Sequence, residues 1–351
     1  MGGNNYLKIV YLVFFLALAS VSCWATASSL RLLWPDFPAV FCWIVTIAFF
    51  FMASYGTMLI VKSFSKGWVE NRYLKLFGGL LLFLVFWLAF SMPTNTHTFF
   101  YNLVVSDVYN QDEIRTVGYL NQISKNEGVE RMLNMRIDTF KSEVNTKLGE
   151  LMREIGNEAN PGFGPESKSI LKDFADLLEV PSIKPLSYNR GTLDQDMEKL
   201  KDAYRKKIYM LRDSKIADMR NGMQKPSADS RKRAEIAMKN LELSSKYLRE
   251  KKWDLKNPDD VGKVNEQLSL GYNIIKNNKD FIYWSPKNDE LHYTQENTVT
   301  DVKRLVSVFD VWKDFLAGKY QGSPFIYWII LSVLVDLGAF LFFDLLFKNR
   351  D

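Results

Sequence analysis

The sequence has 351 residues, 47% of them hydrophobic, and its 45 Lys and Arg against 40 Asp and Glu give a net charge of +5. The charges lie mostly in the hydrophilic stretch between two apolar ends of the chain, and bases and acids are nearly balanced in that stretch. This balance disfavours nucleic-acid binding, which needs a concentrated basic face. Both cysteines fall in apolar runs, so no disulfide framework supports the hydrophilic stretch.

The first apolar run covers residues 9–27, and two interpretations of it stay open. The run is long, and further apolar runs follow it, which favours an uncleaved membrane helix. Lys8 before it and the small residues Ala25, Thr26 and Ala27 at its end also resemble a cleavable secretory signal. Cleavage would leave the orientation of the remaining chain unchanged.

Small residues recur every four positions in this first run, at Ala19, Cys23 and Ala27. Such spacing lets two membrane helices approach closely. Gly78 and Gly79 in the third run are the candidates to receive that contact. We favour packing within one chain over an interface between copies.

The second apolar run covers residues 39–61, and the third covers residues 76–90 and is expected to end before Pro93. Cytoplasmic loops of membrane proteins carry an excess of Lys and Arg. The loop between these two runs is basic, and the C-terminal tail carries Lys348 and Arg350. Both termini are therefore predicted to be cytoplasmic, with residues 94–323 outside. The basic residues of the loop are Lys62, Lys66, Arg72 and Lys75.

The hydrophilic stretch is predicted to be a bundle of long helices, because its apolar residues recur at steps of three and four. It has no cysteine and no Asn-x-Ser/Thr acceptor, which favours a bacterial envelope over a eukaryotic cell surface. A third helix is expected after Ser227 with Ile236, Leu241 and Leu248 inward, a fourth over roughly Asp260 to Lys276, and a fifth after Thr298 or Thr300. The first stripe is Leu133, Ile137, Phe140, Val144, Leu148, Leu151 and Ile155; the second is Leu193, Met197, Leu200, Tyr204, Ile208 and Leu211; the fifth helix carries Val302, Leu305, Phe309, Trp312 and Leu316.

The last apolar run, from Pro324 to Phe347, has Asp336 near its centre. With about 24 residues it is long enough to cross a bilayer. A charged aspartate there costs roughly 2.5–3.5 kcal/mol on insertion scales, so Asp336 needs a partner. The other apolar runs offer no Lys, Arg or His, which leaves a hydroxyl or a residue of another chain. The hydroxyl candidates are Ser54, Thr57 and Ser332.

Three roles for Asp336 follow from this position. It can be a structural carboxyl hydrogen-bonded within the helices, a contact to a partner, or an ion or proton site. We find no phosphate-binding loop and no Gly-x-Ser-x-Gly element, and neither His97 nor His292 has a second ligand at metal-binding spacing. We therefore expect no enzyme activity, no metal and no cofactor.

The sequence thus predicts an all-α polytopic membrane protein with four transmembrane helices, three N-terminal and one C-terminal, and a large extracytoplasmic helical, coiled-coil-like bundle. The expected division is residues 1–93, 94–323 and 324–351. The expected function is a scaffold or interaction subunit of a bacterial inner-membrane complex, with the lipid bilayer and other proteins or further copies as partners. The alternatives are an ion-coupled channel, motor or transport subunit using Asp336, and an extracytoplasmic sensor or membrane effector.

Overall fold

The computed structural model describes residues 2–64, 72–157, 164–186, 193–319 and 325–347, and every regular element in these ranges is helical. The prediction of an all-α protein is confirmed. Four of the helices are long and apolar enough to cross a membrane, as expected from the four apolar runs. These candidate spans are Tyr6–Leu33, Ala39–Ser63, Arg72–Lys125 and Phe325–Phe347.

The third apolar helix does not end at Pro93. It forms one continuous helix of 54 residues, in which nine π-helical residues separate two α-helical parts. Proline removes one backbone donor and its ring clashes with the carbonyl four residues earlier. Here the backbone before Pro93 is already wound more widely, since the Met92 amide donates to the Trp87 carbonyl, and π-turns of this kind are one recognised irregularity within continuous helices. In chain order the elements so far are α1 (Gly2–Leu33), α2 (Ala39–Ser63), α3 (Arg72–Leu82), the π-helical segment Phe83–Ser91 and α4 (Met92–Lys125).

The remaining chain forms nine further α-helices among the described residues. They are α5 (Glu127–Ile155), α6 (Pro165–Leu177), α7 (Leu193–Asn221), α8 (Ala228–Arg249), α9 (Pro258–Asn277), α10 (Asn288–Thr294), α11 (Asp301–Val306), α12 (Val308–Leu316) and α13 (Phe325–Phe347).

The chain divides into two compact units. The first comprises Met1–Val117, Ala237–Asn273 and Gln295–Asp351, and the second comprises Gly118–Ile236 and Ile274–Thr294. These bounds come from packing alone, and the division into residues 1–93, 94–323 and 324–351 relative to a membrane stays a prediction.

The second unit has a core in which α5, α6 and α7 pack together. The apolar stripe of α5 is buried from Ile137 onward, as its spacing predicts. The stripe of α7 is buried at its centre, and Leu193 lies outside the residues whose side chains are described. The inward prediction for α8 is confirmed at Leu241, which is buried, and is wrong at Ile236, because Ala234 and Ala237 occupy the buried face there. The core side chains are Phe140, Val144, Leu148, Leu151, Ile155, Leu171, Phe174, Leu200, Tyr204 and Ile208.

The predicted fifth helix is two short helices instead of one. Ser307 separates α11 from α12, and its side chain accepts a hydrogen bond from the Asp310 amide as the N-cap of α12. The break changes the register of the apolar stripe. Val302 and Leu305 are buried, but Phe309 and Leu316 are exposed instead of inward.

The first unit contains three of the four apolar helices and the third as far as Val117, and aromatic rings form much of the core between them. Rings from α1, α2 and α13 meet in one cluster, where Phe15 packs on Phe343 with centroids 5.4 Å apart and Phe50 packs on Phe340 at 5.5 Å. Trp87 of the π-helical segment closes the cluster beside Phe340. This packing positions the helix faces on which the polar residues of the next section lie.

Candidate functional site

Asp336 is fully buried on the inward face of α13. The neighbours that share this face stand three, four or seven positions away, as the helical period requires. They are Ser332, Ala339, Phe340 and Phe343, all buried. The carboxylate therefore points into the protein and away from the surface that lipid would cover.

Three side chains of the third apolar helix donate hydrogen bonds to this carboxylate. Trp87 Nε1 and Ser91 Oγ donate to Asp336 Oδ2 at 3.0 and 3.2 Å. Asn95 Nδ2 lies 3.1 Å from Oδ1 and 3.2 Å from Oδ2. The donors are spaced four residues apart, which places them on one helix face. An ionised carboxylate accepts only, so this set satisfies it without an opposite charge.

A second set of polar groups joins this centre to α1. Asn95 Nδ2 also donates to Ser22 Oγ at 2.9 Å, and Asn95 Oδ1 accepts from Thr26 Oγ1 at 2.7 Å. Thr94 Oγ1 in turn donates to Thr26 Oγ1 at 3.2 Å. The network therefore connects three apolar helices, α1, the third helix and α13, through buried hydrogen bonds. We call Asp336, Trp87, Ser91, Asn95, Ser22 and Thr26 the Asp336 network.

The three hydroxyls proposed from the sequence as partners of Asp336 are engaged elsewhere. Ser54 Oγ donates to the Phe50 carbonyl at 2.8 Å, and Thr57 Oγ1 donates to the Ser54 carbonyl at 2.7 Å. Ser332 Oγ donates to the Met92 carbonyl at 3.2 Å. Sequence reasoning missed Asn95 because it ended the third helix before Pro93. It missed Trp87, which lies inside the third run, because it sought only charged groups and hydroxyls, and Ser91 because it lies one residue past that run. The available signal was the spacing of Trp87, Ser91 and Asn95, which shows one face only if the helix continues.

His97 is buried two residues beyond Asn95 and has partners at both ring nitrogens. Nε2 lies 2.9 Å from the Leu305 carbonyl, and Nδ1 lies 2.8 Å from Ser29 Oγ. A carbonyl only accepts, so Nε2 carries the proton, and in the neutral ring Nδ1 accepts from the serine hydroxyl. The histidine thus links α4, α1 and α11.

The small residues Ala19, Cys23 and Ala27 are all buried on α1. Ala19 and Cys23 lie in the cluster that includes Ala339 and Phe340 of α13. Ala27 lies with Leu30, Cys42 and Phe90. The close glycine contact of the third apolar helix involves a different pair of helices from the one predicted.

Gly79 packs against Gly56 of α2. A Cβ added to Gly79 would stand 2.8 Å from the Gly56 carbonyl oxygen, and one added to Gly56 would stand 2.9 Å from the Gly79 carbonyl oxygen. Gly78 has nothing within 4 Å of such an atom. Helix α2, and not α1, therefore packs against Gly79, and no helix in the described part of the chain packs against Gly78.

Beyond the apolar part of the third helix, the first unit has an open groove of about 750 Å³. Apolar walls come from Val105, Tyr109 and Leu255, and charged groups such as Arg249 and Glu113 lie at its sides. Across the described residues, no group of three or more His, Cys, Asp or Glu side chains could hold a metal ion.

The fold and the Asp336 network together define a helical protein with four helices that can cross a membrane and a buried acid between three of them. Comparison with protein-family models, with curated proteins and with solved structures gives no match.

Proposed function

We propose that this protein is an integral inner-membrane scaffold or interaction subunit of a bacterial envelope complex, docking partner proteins through residues 94–323. In this proposal both termini are cytoplasmic and residues 94–323 are extracytoplasmic, apart from the first turns of α4 up to about Phe100, which pack against α13. The basic loop between the second and third apolar runs supports this orientation, as does the basic tail.

The observation that carries the proposal is the continuous helix Arg72–Lys125 and the way it is held. At 1.5 Å per residue, 54 residues extend about 80 Å, more than twice the hydrocarbon thickness of a bilayer. The Asp336 network fixes its apolar part to α1 and α13. The helix is thus held among the other apolar helices at one end, and its other end continues well beyond them. This arrangement suits a subunit that holds partners at a fixed distance from the bilayer.

The partners of Asp336 within its own chain favour the structural role over a contact to another chain. Its donors are neutral and come from three positions of one helix. The polar side chains at the centre of the spans therefore stabilise this chain's own helix packing. In the proposal, partner proteins are bound by the extramembrane helices.

One observation favours the ion-coupled alternative. Exchangeable groups continue from Asp336 through Asn95 to Thr26 and Thr94. Buried ionisable residues inside membranes mark proton and ion pathways in other proteins. Proton uptake by proteoliposomes containing the wild type or Asp336→Asn measures this directly.

The first experiment is purification of the tagged full-length chain in a gentle detergent, with mass determination and identification of every co-purifying protein. A discrete assembly with other membrane proteins supports the proposal. A lone monomer or a homo-oligomer overturns it. Proton flux that requires Asp336, with an unchanged assembly mass, replaces it with the ion-coupled function.

A further inference from the structure

Helix α12 exposes two large apolar side chains on one face. Phe309 is 76% exposed and Leu316 is 79% exposed. They stand seven residues apart, which places them on the same side of the helix. Val308 and Val311 on another face are buried in the protein. Exposing large apolar side chains to water is unfavourable, so the role of this face of α12 depends on whether water or lipid surrounds it.

The depth of α12 along the apolar helices follows from two contacts between α4 and α13. The ring of Phe100 packs on Phe325, the first residue of α13, with centroids 4.8 Å apart. Ser332, two turns into α13, donates to the Met92 carbonyl. Moving from Phe100 back to Met92 along α4 therefore moves roughly 10 Å into the apolar part of the bundle.

Trp312 places α12 beside this same stretch. Its indole Nε1 donates to the Pro93 carbonyl at 3.2 Å, next to Met92. Its ring packs on Phe325 with centroids 5.4 Å apart. The tryptophan side chain thus reaches from Phe325 to the Pro93 carbonyl, and Phe315 also packs on Phe325, so α12 lies at the level where α13 begins.

The charged groups of this segment are arranged so that burial beside lipid is tolerated. Asp314, which is buried, is paired with Arg304 through both carboxylate oxygens and lies 3.3 Å from Lys319. Lys313 is exposed near the apolar face, and a lysine stem can extend along apolar surroundings with its ammonium group in water.

We infer that α12 lies in the interfacial layer of the bilayer on the side where α13 begins, with Phe309 and Leu316 inserted among the lipid chains and Trp312 at the head-group level. An amphipathic helix with bulky apolar residues on one face and charges on the other binds membranes in this way, and tryptophan is enriched at that level. The surface is thus a lipid-binding face. It does not depend on which protein partner the extramembrane helices hold.

The test uses site-directed spin labels on the full-length chain in vesicles of phosphatidylethanolamine and phosphatidylglycerol. Phe309→Cys and Leu316→Cys carry the label, and Asn273→Cys, at an exposed position next to Tyr272, is the matched aqueous control. The two native cysteines are buried, and labelling of the wild type checks that they stay unreactive.

Collisional relaxation by oxygen, which concentrates in lipid, is compared with relaxation by a water-soluble nickel chelate. We expect oxygen to dominate at positions 309 and 316 and the chelate to dominate at 273. Chelate-dominated relaxation at 309 and 316 would overturn the inference. Spin–spin broadening between labels at 309 on different molecules would also overturn it, since it would mean that a second copy covers the face.

Discussion

Asn95 and Asp336 are 241 residues apart in sequence, yet the amide of one donates to both carboxylate oxygens of the other. The opposite side of the Asn95 amide accepts from Thr26. Asn95 is therefore fixed in one orientation, with its NH₂ group toward Asp336 and Ser22 and its oxygen toward Thr26. Because this orientation is fixed, the contact can be tested by exchanging the two side chains between positions 95 and 336.

Asp336→Asn is expected to destabilise the protein, and the added change Asn95→Asp is expected to restore most of the loss. In the single variant, an amide oxygen can still accept from Trp87 and Ser91, but its NH₂ group then faces the NH₂ group of Asn95. In the exchanged pair, the amide at position 336 donates, and the carboxylate at position 95 accepts from it and from Thr26. Side-chain hydrogen bonds within membranes contribute about 0.6 kcal/mol on average and up to about 1.7, so we expect a loss of roughly 1–3 kcal/mol.

Thermal unfolding in detergent, followed by tryptophan fluorescence, measures both variants. Asp336→Leu is the matched severe change, since it removes an acceptor shared by Trp87, Ser91 and Asn95 and leaves the Trp87 indole N–H without its acceptor; a buried donor left in this way costs about 1–3 kcal/mol. A single Asn variant as stable as the wild type, or an exchange that adds a second loss to the first, would contradict this account of the network.

Gly79→Ala is expected to lower stability, whereas Gly78→Ala is not. The methyl group at 79 would meet the Gly56 carbonyl oxygen at 2.8 Å, so α2 and the third helix must separate. Overpacking of this kind typically costs about 1–3 kcal/mol. At position 78 the added atom meets open space, and alanine favours the helix by up to about 1 kcal/mol. The two unfolding temperatures, measured side by side, are expected to move in opposite directions; equal shifts would mean that the glycine contact is not close in solution.

The sequence was sufficient for the helical class, the four apolar helices and the apolar stripe of α5, because each rests on local periodicity. It was insufficient for the partners of Asp336. Pro93 is a helix breaker in isolation, and only packing against α1 and α13 shows that the helix continues to Asn95. The prediction that Phe309 and Leu316 face inward was wrong for a related reason. Ser307 caps α12 and restarts the helical register, and the apolar pattern of the sequence looks continuous across this break.

Asp112 is expected to make stability fall as pH rises from about 4 to about 6. It is buried on α4, twelve residues beyond Phe100 and thus about 18 Å past the level at which α13 begins. Burial, together with the neighbouring carboxylate of Asp301, raises the pKa of Asp112 from 3.8 to about 6, against hydrogen bonds from Tyr272 Oη and the Asp301 amide.

The folded state therefore binds this proton more tightly than the unfolded chain does, so the contribution is fully present below about pH 4 and is lost as pH rises through about 6. Each pKa unit corresponds to about 1.4 kcal/mol, so the loss approaches about 3 kcal/mol. The difference in unfolding temperature between wild type and Asp112→Asn, followed from pH 4 to 7, isolates this group. Asp301→Asn keeps the backbone donor and removes the charge, so it is expected to move the midpoint to lower pH; a difference independent of pH would contradict the assignment.

The proposed orientation predicts which introduced cysteines react with a membrane-impermeant maleimide in intact spheroplasts. Asn273→Cys lies in the stretch proposed to be extracytoplasmic and is expected to react at once. Tyr73→Cys, at a position 85% exposed beside the basic loop, is expected to react only after the membrane is permeabilised. The native Cys23 and Cys42 are buried and provide an unreactive background. Because the positive-inside bias is counted over short loops, the basic residues around position 73 determine the expected result; a reversed pattern would place residues 94–323 in the cytoplasm and remove the envelope-facing role proposed for them.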